Sequence, residues 1–313
     1  MHILFLGTPE FAVPSLKALI GSPHRVLAVV TQPDKPRGRK LRLSPSPVKD
    51  LALAHGLECL QPESLNEEGF KDRAAELTPD ACVVVAYGKL IPSWLLNLPP
   101  HGCLNVHASL LPKYRGAAPI QRAIMEGERQ TGITIMLLDE GMDTGPGLKQ
   151  AAVDITEDDI SGTLYEKLAL LGADLLRETL DEMEKDRITP IPQDDSLATY
   201  APKIEKDERE IDWSRSAKEI RNLVRALNPT PGAFATYARL QLKVWATKVK
   251  DDFQEAPPGT VLEAKHRLVA ATASGAIELL EVQPANKDRM SGEEFSRGYR
   301  VKVGERFGDA GRS

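Results

Sequence analysis

The chain has 313 residues, of which 42% are hydrophobic and 27% charged, with a formal net charge of −5; this is the composition of an ordinary globular protein with room for about two domains. No apolar run approaches the roughly 18 residues of a bilayer-crossing helix, so neither a membrane span nor wholesale disorder is expected. The charge is uneven, since residues 207–313 hold 18 Lys and Arg against 16 Asp and Glu, whereas residues 1–206 hold 22 against 29.

"MHILFLGTPEF" lacks a basic leader and a small-residue cleavage site, so it is expected to be a buried first strand and not a signal peptide. "ILFLG" (3–7), "VLAVVT" (26–31) and "ACVVVAYG" (81–88) are short apolar runs bounded by turn residues, the pattern of strands covered on both faces. Helix-compatible segments separate them: "VPSLKALIGS" after the first, then "SPVKDLALAHG" and "NEEGFKDRAAEL" before the third. This alternation predicts an α/β fold with a Rossmann-like, mostly parallel sheet. "CLNVH" (103–107) reads as a further strand, followed by a helix near 117–127 and the β-rich "GITIMLLD" (132–139). An amphipathic helix over 161–184 closes the first domain, with Ser161 as its expected N-cap. The polar, Pro-bearing stretch 185–206 predicts a linker, giving expected domains at 1–184 and 207–313. In the second domain a helix over 216–229 precedes short strands and turns, which predicts a small C-terminal β-barrel of the oligonucleotide-binding (OB-like) type.

"GTPEF" follows the first strand, but it holds one glycine where a dinucleotide fingerprint needs G-x-G-x-x-G, which argues against NAD. Asn105 and His107 stand two apart on "CLNVH" and so project to one face of a strand, toward the carboxyl edge where open α/β sheets bind ligands. An isolated Asn-x-His is more often a turn residue beside a packed histidine. "LDEGMDTGPG" (138–147) shifts the balance, because Asp139, Glu140 and Asp143 offer a carboxylate from a second loop to orient an imidazole and stabilise its charged form. The other five histidines lack H-x-x-x-H spacing and no G-x-S-x-G elbow is present, so neither a metal nor a serine nucleophile is expected. An Asn, a His and an Asp without either suit acyl transfer between two bound substrates. "KPRGRKLRLSPSPVK" (35–49) carries six basic residues and no acid; it reads as a solvated loop or as an arm for a polyanion. Cys59, Cys82 and Cys103 are odd in number and form no C-x-x-C, so a reducing cytoplasm is expected.

"NVHASLLPKYRGAAPIQ", "GMDTG", "GTPEFA", "VVVAYG" and "TQPDKPRGR", continued by "TYAPKIEKDEREIDWS" and "VQPANKDRMSGEEF", closely resemble the methionyl-tRNA formyltransferase family over nearly the whole chain. The N-x-H, SLLP and Asp set is common to folate-dependent formyltransferases, and the basic loop and second domain narrow the resemblance. It implies transfer of a formyl group from 10-formyltetrahydrofolate to the α-amino group of methionyl initiator tRNA, for translation initiation. It also implies that Asn105, His107 and Asp143 are catalytic and that Ser109, Leu110, Leu111 and Pro112 bind the folate. tRNA contacts are implied for Arg37, Arg39, Lys40 and Arg42 in the basic loop, where "GRKLRL" replaces the more usual "GRGKKL"-like run, and for Lys203 and Lys206 in the linker. "SLLP", "VVVAYG" and "MLLD" suit an apolar folate slot, although Val83 to Val85 read as core. A nucleotide-linked amino-sugar formyltransferase and a 10-formyltetrahydrofolate hydrolase share the same chemistry, and a non-catalytic RNA-binding protein shares the expected architecture. No helix offers a spare apolar face, so a monomer is expected.

Overall fold

The N-terminal apolar runs form the centre of a seven-stranded sheet in the computed structural model, which describes residues 1–37, 42–250 and 255–308. The strands are β1 (His2–Gly7), β2 (Arg25–Val30), β3 (Lys35–Arg37), β4 (Arg42–Ser44), β5 (Glu58–Leu60), β6 (Ala81–Val85), β7 (Cys103–His107), β8 (Gln130–Leu137) and β9 (Gly147–Asp154). Their order in the sheet is β5-β2-β1-β6-β7-β8-β9, with β3 and β4 forming a separate hairpin. Strands β5 to β7 along that path are parallel, and β8 and β9 run antiparallel. The order reverses between β1 and β6, the switch point at whose carboxyl edge open α/β sheets bind ligands.

Helices α1 (Val13–Ile20), α2 (Pro47–Ala54), α3 (Glu68–Leu77) and α4 (Ser93–Leu96) connect the parallel strands. Alternate residues of the strands explain the core: Leu4, Leu6, Ala28, Val30, Cys82, Val84 and Cys103 bury one face against Phe70 and Ala74 of α3 and Leu95 of α4. Val83 and Val85 are fully buried and Val84 nearly so, which makes this run core. Next in the chain are α5 (Pro119–Met125) and α6 (Ser161–Met183). Gly172 lets α6 approach β7, since a Cβ there would stand 2.8 Å from Val106 Cγ1.

Contacts divide the chain into two units, one of Met1–Pro119, Gln130–Asp154 and Tyr165–Ala201, the other of Ile120–Arg129, Ile155–Leu164 and Pro202–Ser313. Because residues 120–129 belong to the second unit, the connection from β7 to β8 is no helical crossover on the sheet, and β8 returns antiparallel. Residues 185–201 run with the first unit, where Ile191 pairs with Gly147 and Tyr200 with Arg115.

The second unit contains α7 (Ala217–Ala226), β10 (Ala233–Tyr237), β11 (Leu240–Lys250), β12 (Val261–Glu263), β13 (Leu268–Ala271), β14 (Ala276–Pro284), β15 (Met290–Ser291) and α8 (Gly292–Tyr299). Its strands are antiparallel in the order β10-β11-β14-β13-β12, with β15 beside β14. Among the described residues no strand pairing joins β10 to β12, so the sheet path is open. Capping boxes start both helices, Ser216 with Glu219 and Ser291 with Glu294. Ser161 departs from expectation: it lies inside α6, and its hydroxyl donates to the Asn228 carbonyl at 2.7 Å instead of capping.

Gly132 yields a stability prediction. A Cβ at this position on β8 would stand 2.1 Å from the Ala151 carbonyl oxygen of β9 and 2.6 Å from Leu110 Cδ2. Gly132→Ala is expected to destabilise the first unit by about 3 kcal/mol through overpacking against backbone, read as a lower midpoint in urea. A midpoint equal to that of the unsubstituted chain would refute this packing.

Candidate active site

The end of β7 brings Asn105 and His107 to one face, His107 being 5% exposed. Asp143 comes from the loop after β8 with a left-handed backbone, φ 54°, a region where Asp and Asn are the most tolerated non-glycine residues. Its Oδ2 stands 3.6 Å from His107 Nδ1 and its Oδ1 accepts from Asn105 Nδ2 at 3.4 Å. The Gly116 N–H donates to Oδ2 at 2.9 Å. His107 Nε2 lies 3.0 Å from the Tyr114 carbonyl oxygen, which can only accept. The ring proton therefore sits on Nε2, leaving Nδ1 to exchange a proton beside the Asp143 carboxylate.

The three carboxylates that the sequence offered are separated by their partners. Asp139 Oδ1 accepts from the Gly141 N–H at 3.0 Å and the Thr144 hydroxyl at 2.7 Å, and Glu140 accepts from the Ser93 hydroxyl at 2.7 Å. Asp143 is the one that faces the imidazole. Asn105 retains a second amide N–H for a substrate oxygen. An amide N–H donor and a carboxylate-backed imidazole are a set that can stabilise a tetrahedral oxyanion and take up a proton.

Residues 109–112 shape the turn that follows. Ser109 is fully buried, donating its hydroxyl to the Lys113 carbonyl at 2.6 Å and accepting at its own carbonyl from Thr134 Oγ1 at 2.7 Å. The Leu111 N–H donates to that same Thr134 oxygen at 3.0 Å. Leu111 is buried, while Leu110 and Pro112 are half-buried. Tyr114, Gly116 and Thr134 act through backbone or as supports, and no spacing in the sequence marked them.

At the basic loop the backbone of Arg37 pairs with that of Arg42 in the β3–β4 hairpin. Arg39 and Lys40 lie outside the described residues, and of the side chains of Arg37 and Arg42 nothing is described. Lys49, one of the six basic residues, is spent internally on Asp34 Oδ2 at 2.7 Å and Gln61 Oε1 at 2.6 Å. Hydrogen bonds from Lys49 and Gln61 hold the Asp34 carboxyl below its ordinary range. Lys203 and Lys206 are exposed.

Family models agree with both halves: one described as "Formyl transferase" matches residues 1–180 and one described as "Formyl transferase, C-terminal domain" matches residues 203–300. The methionyl-tRNA formyltransferase of Caldanaerobacter subterraneus subsp. tengcongensis is 50% identical over 305 residues, 97% of this chain and 99% of the relative. The chain belongs to the methionyl-tRNA formyltransferase family. Solved structures extend the family's fold likeness. The N-formyltransferase of Helicobacter canadensis, in complex with folinic acid and dTDP-3-aminofucose, superposes with a TM-score of 0.69 at 17% identity, covering 90% of this chain and 98% of that one. HypX of Aquifex aeolicus in complex with tetrahydrofolic acid has a TM-score of 0.64 at 19% identity; 97% of this chain is covered, which spans only 48% of HypX. At these identities the likeness is one of fold. Among the described residues no helix is long and apolar enough to cross a membrane.

Proposed function

We propose that this methionyl-tRNA formyltransferase family member transfers the formyl group of 10-formyltetrahydrofolate to the α-amino group of methionyl initiator tRNA, acting as a cytoplasmic monomer without a metal. The observation that carries the reading is the meeting of Asn105, His107 and Asp143 at the end of β7, in a chain of which 97% matches a methionyl-tRNA formyltransferase. In this reading catalysis belongs to 1–184 and tRNA binding to 207–313, with the linker 185–206 running with the first unit as far as residue 201.

The donor supplies an activated formyl carbon. An unperturbed α-amine has a pKa near ~8, so a useful fraction is already neutral at physiological pH. The amine lone pair forms the new C–N bond at the formyl carbon, and the carbonyl electrons move to oxygen. Asn105 Nδ2 donates to that oxyanion, and the His107 ring adds its positive charge once Nδ1 has taken the amine's proton. His107 Nδ1 relays the amine's proton while Asp143 steadies the charged ring. The bond from the formyl carbon to the folate nitrogen then breaks, and the proton ends on that nitrogen. Ser109, Leu110, Leu111 and Pro112 are the folate-binding turn in this reading.

Donor consumption in the presence of charged initiator tRNA, a nucleotide-linked amino sugar or buffer alone tests the acceptor. Dependence on charged tRNA is the expected result; consumption with the sugar or with buffer would assign the site to a sugar formyltransferase or to a hydrolase.

Arg37, Arg39, Lys40 and Arg42 in the loop, with Lys203 and Lys206, supply the cationic surface for the tRNA backbone. Neutralising Arg39, Lys40 and Arg42 together is expected to weaken tRNA binding and to lower the slope of log affinity against log salt by about 2, at roughly 0.7–0.9 per phosphate contact. Affinity titrations at several salt concentrations read this directly, and an unchanged slope would make the loop a solvated surface only.

A further inference from the structure

Arg115 is a fully buried guanidinium, 2% exposed, one residue before the Gly116 N–H that holds the Asp143 carboxylate. Its Nε and Nη2 donate to Gln193 Oε1 at 3.1 and 2.8 Å, and Nη2 also pairs with Asp195 at 2.7 Å. Because a guanidinium only donates, the Gln193 oxygen must face it. The Gln193 amide nitrogen consequently faces the other way, donating to the Asp143 carbonyl at 2.8 Å and the Gly145 carbonyl at 2.7 Å. Both carbonyls flank Thr144, and Asp143 itself holds φ 54°. The loop has little room beyond it, since a Cβ on Gly145 would stand 1.9 Å from the Leu137 carbonyl oxygen.

We propose that Gln193 is a positioning residue for formyl transfer, closing a ring of contacts from Arg115 through the Asp143 loop that presents the carboxylate to His107. Asp143 is gripped at both ends, its carboxylate by the Gly116 N–H and its backbone by Gln193, which the Arg115 guanidinium holds in turn. The inference deepens the proposed role of Asp143 and rests on it. A displacement of about 1 Å at a reacting group costs on the order of 10²-fold in rate.

Gln193→Glu separates positioning from mere satisfaction of Arg115. The carboxylate keeps and strengthens the pairing with the guanidinium but has no hydrogen for the Asp143 and Gly145 carbonyls. Gln193→Met, neutral and of similar length, removes the same donors without adding charge. Both variants are expected to lose about 10²-fold in kcat while KM for donor and charged tRNA stays within about threefold of the parent. In hydrogen exchange on the intact chain, the segment 141–147 is expected to exchange at least tenfold faster while β7 and β8 keep their protection. The exchange measurement involves no acceptor, so it separates failure of this inference from failure of the functional reading. A Glu variant with kcat within threefold of the parent, or unchanged exchange at 141–147 in both variants, would overturn the proposal.

Discussion

Replacing His107 by alanine is expected to lower formyl transfer by at least about 10²-fold, the scale of a general acid–base or oxyanion-stabilising group. The loss is expected on kcat, because in the proposed reaction the imidazole acts on the transition state and not on either bound ground state. Affinity for tRNA is expected to stay within about twofold, since the proposed tRNA surface is the basic loop and the C-terminal half. The substitution removes the Nε2 contact to the Tyr114 carbonyl at 3.0 Å, so a thermal melt belongs beside the kinetics. A variant that folds and retains more than about a tenth of the rate would remove His107 from the reaction.

Asp143→Asn is the second large effect, and it isolates charge. Asparagine tolerates the left-handed backbone as readily as aspartate, and its side-chain oxygen can still accept from the Gly116 N–H. What disappears is the negative charge 3.6 Å from His107 Nδ1. The protonated imidazole loses its counter-charge. A fall of about 10³-fold in kcat with donor KM near that of the parent is expected, between the cost of one oxyanion donor and that of a miscast triad. Single-turnover kinetics would read it, and a change confined to KM would make Asp143 a binding group.

Much of the first unit was legible because strands buried on both faces leave unbroken apolar runs, as in β1, β2 and β6. Strand β5 is three half-buried residues, too short for any periodicity, and β9, at a sheet edge, sets Lys149 beside Gln150 and Ala151 beside Ala152, so no apolar alternation marks it. Helix α8 carried its capping signature, Ser291 and Glu294, in a region otherwise dominated by strand patterns. Ser161 misled for a different reason: a serine before an apolar stretch looks like a cap, but its hydroxyl finds the Asn228 carbonyl 67 residues away. The antiparallel return of β8 was hidden as well, since nothing local shows that residues 120–129 fold with the second unit.

The site was legible at Asn105 and His107, where two polar side chains share one face at a strand end. Its carboxylate was legible from spacing only as one of three. Short-range partners occupy Asp139 and Glu140, a matter of loop conformation that spacing does not encode; the family resemblance is what pointed to Asp143. Gln193 stands 50 residues from the carbonyl it holds and lies in a stretch whose composition reads as linker. Its contribution is one of long-range hydrogen bonding, for which a single sequence has no periodic signal.

The most direct measurement follows radiolabelled formyl from 10-formyltetrahydrofolate in one reaction containing charged initiator tRNA, charged elongator tRNA and free methionine. Label on methionyl initiator tRNA, lost in His107→Ala and Asp143→Asn, is the predicted result. Label on free methionine, or none on any acceptor while the donor is consumed, would contradict it.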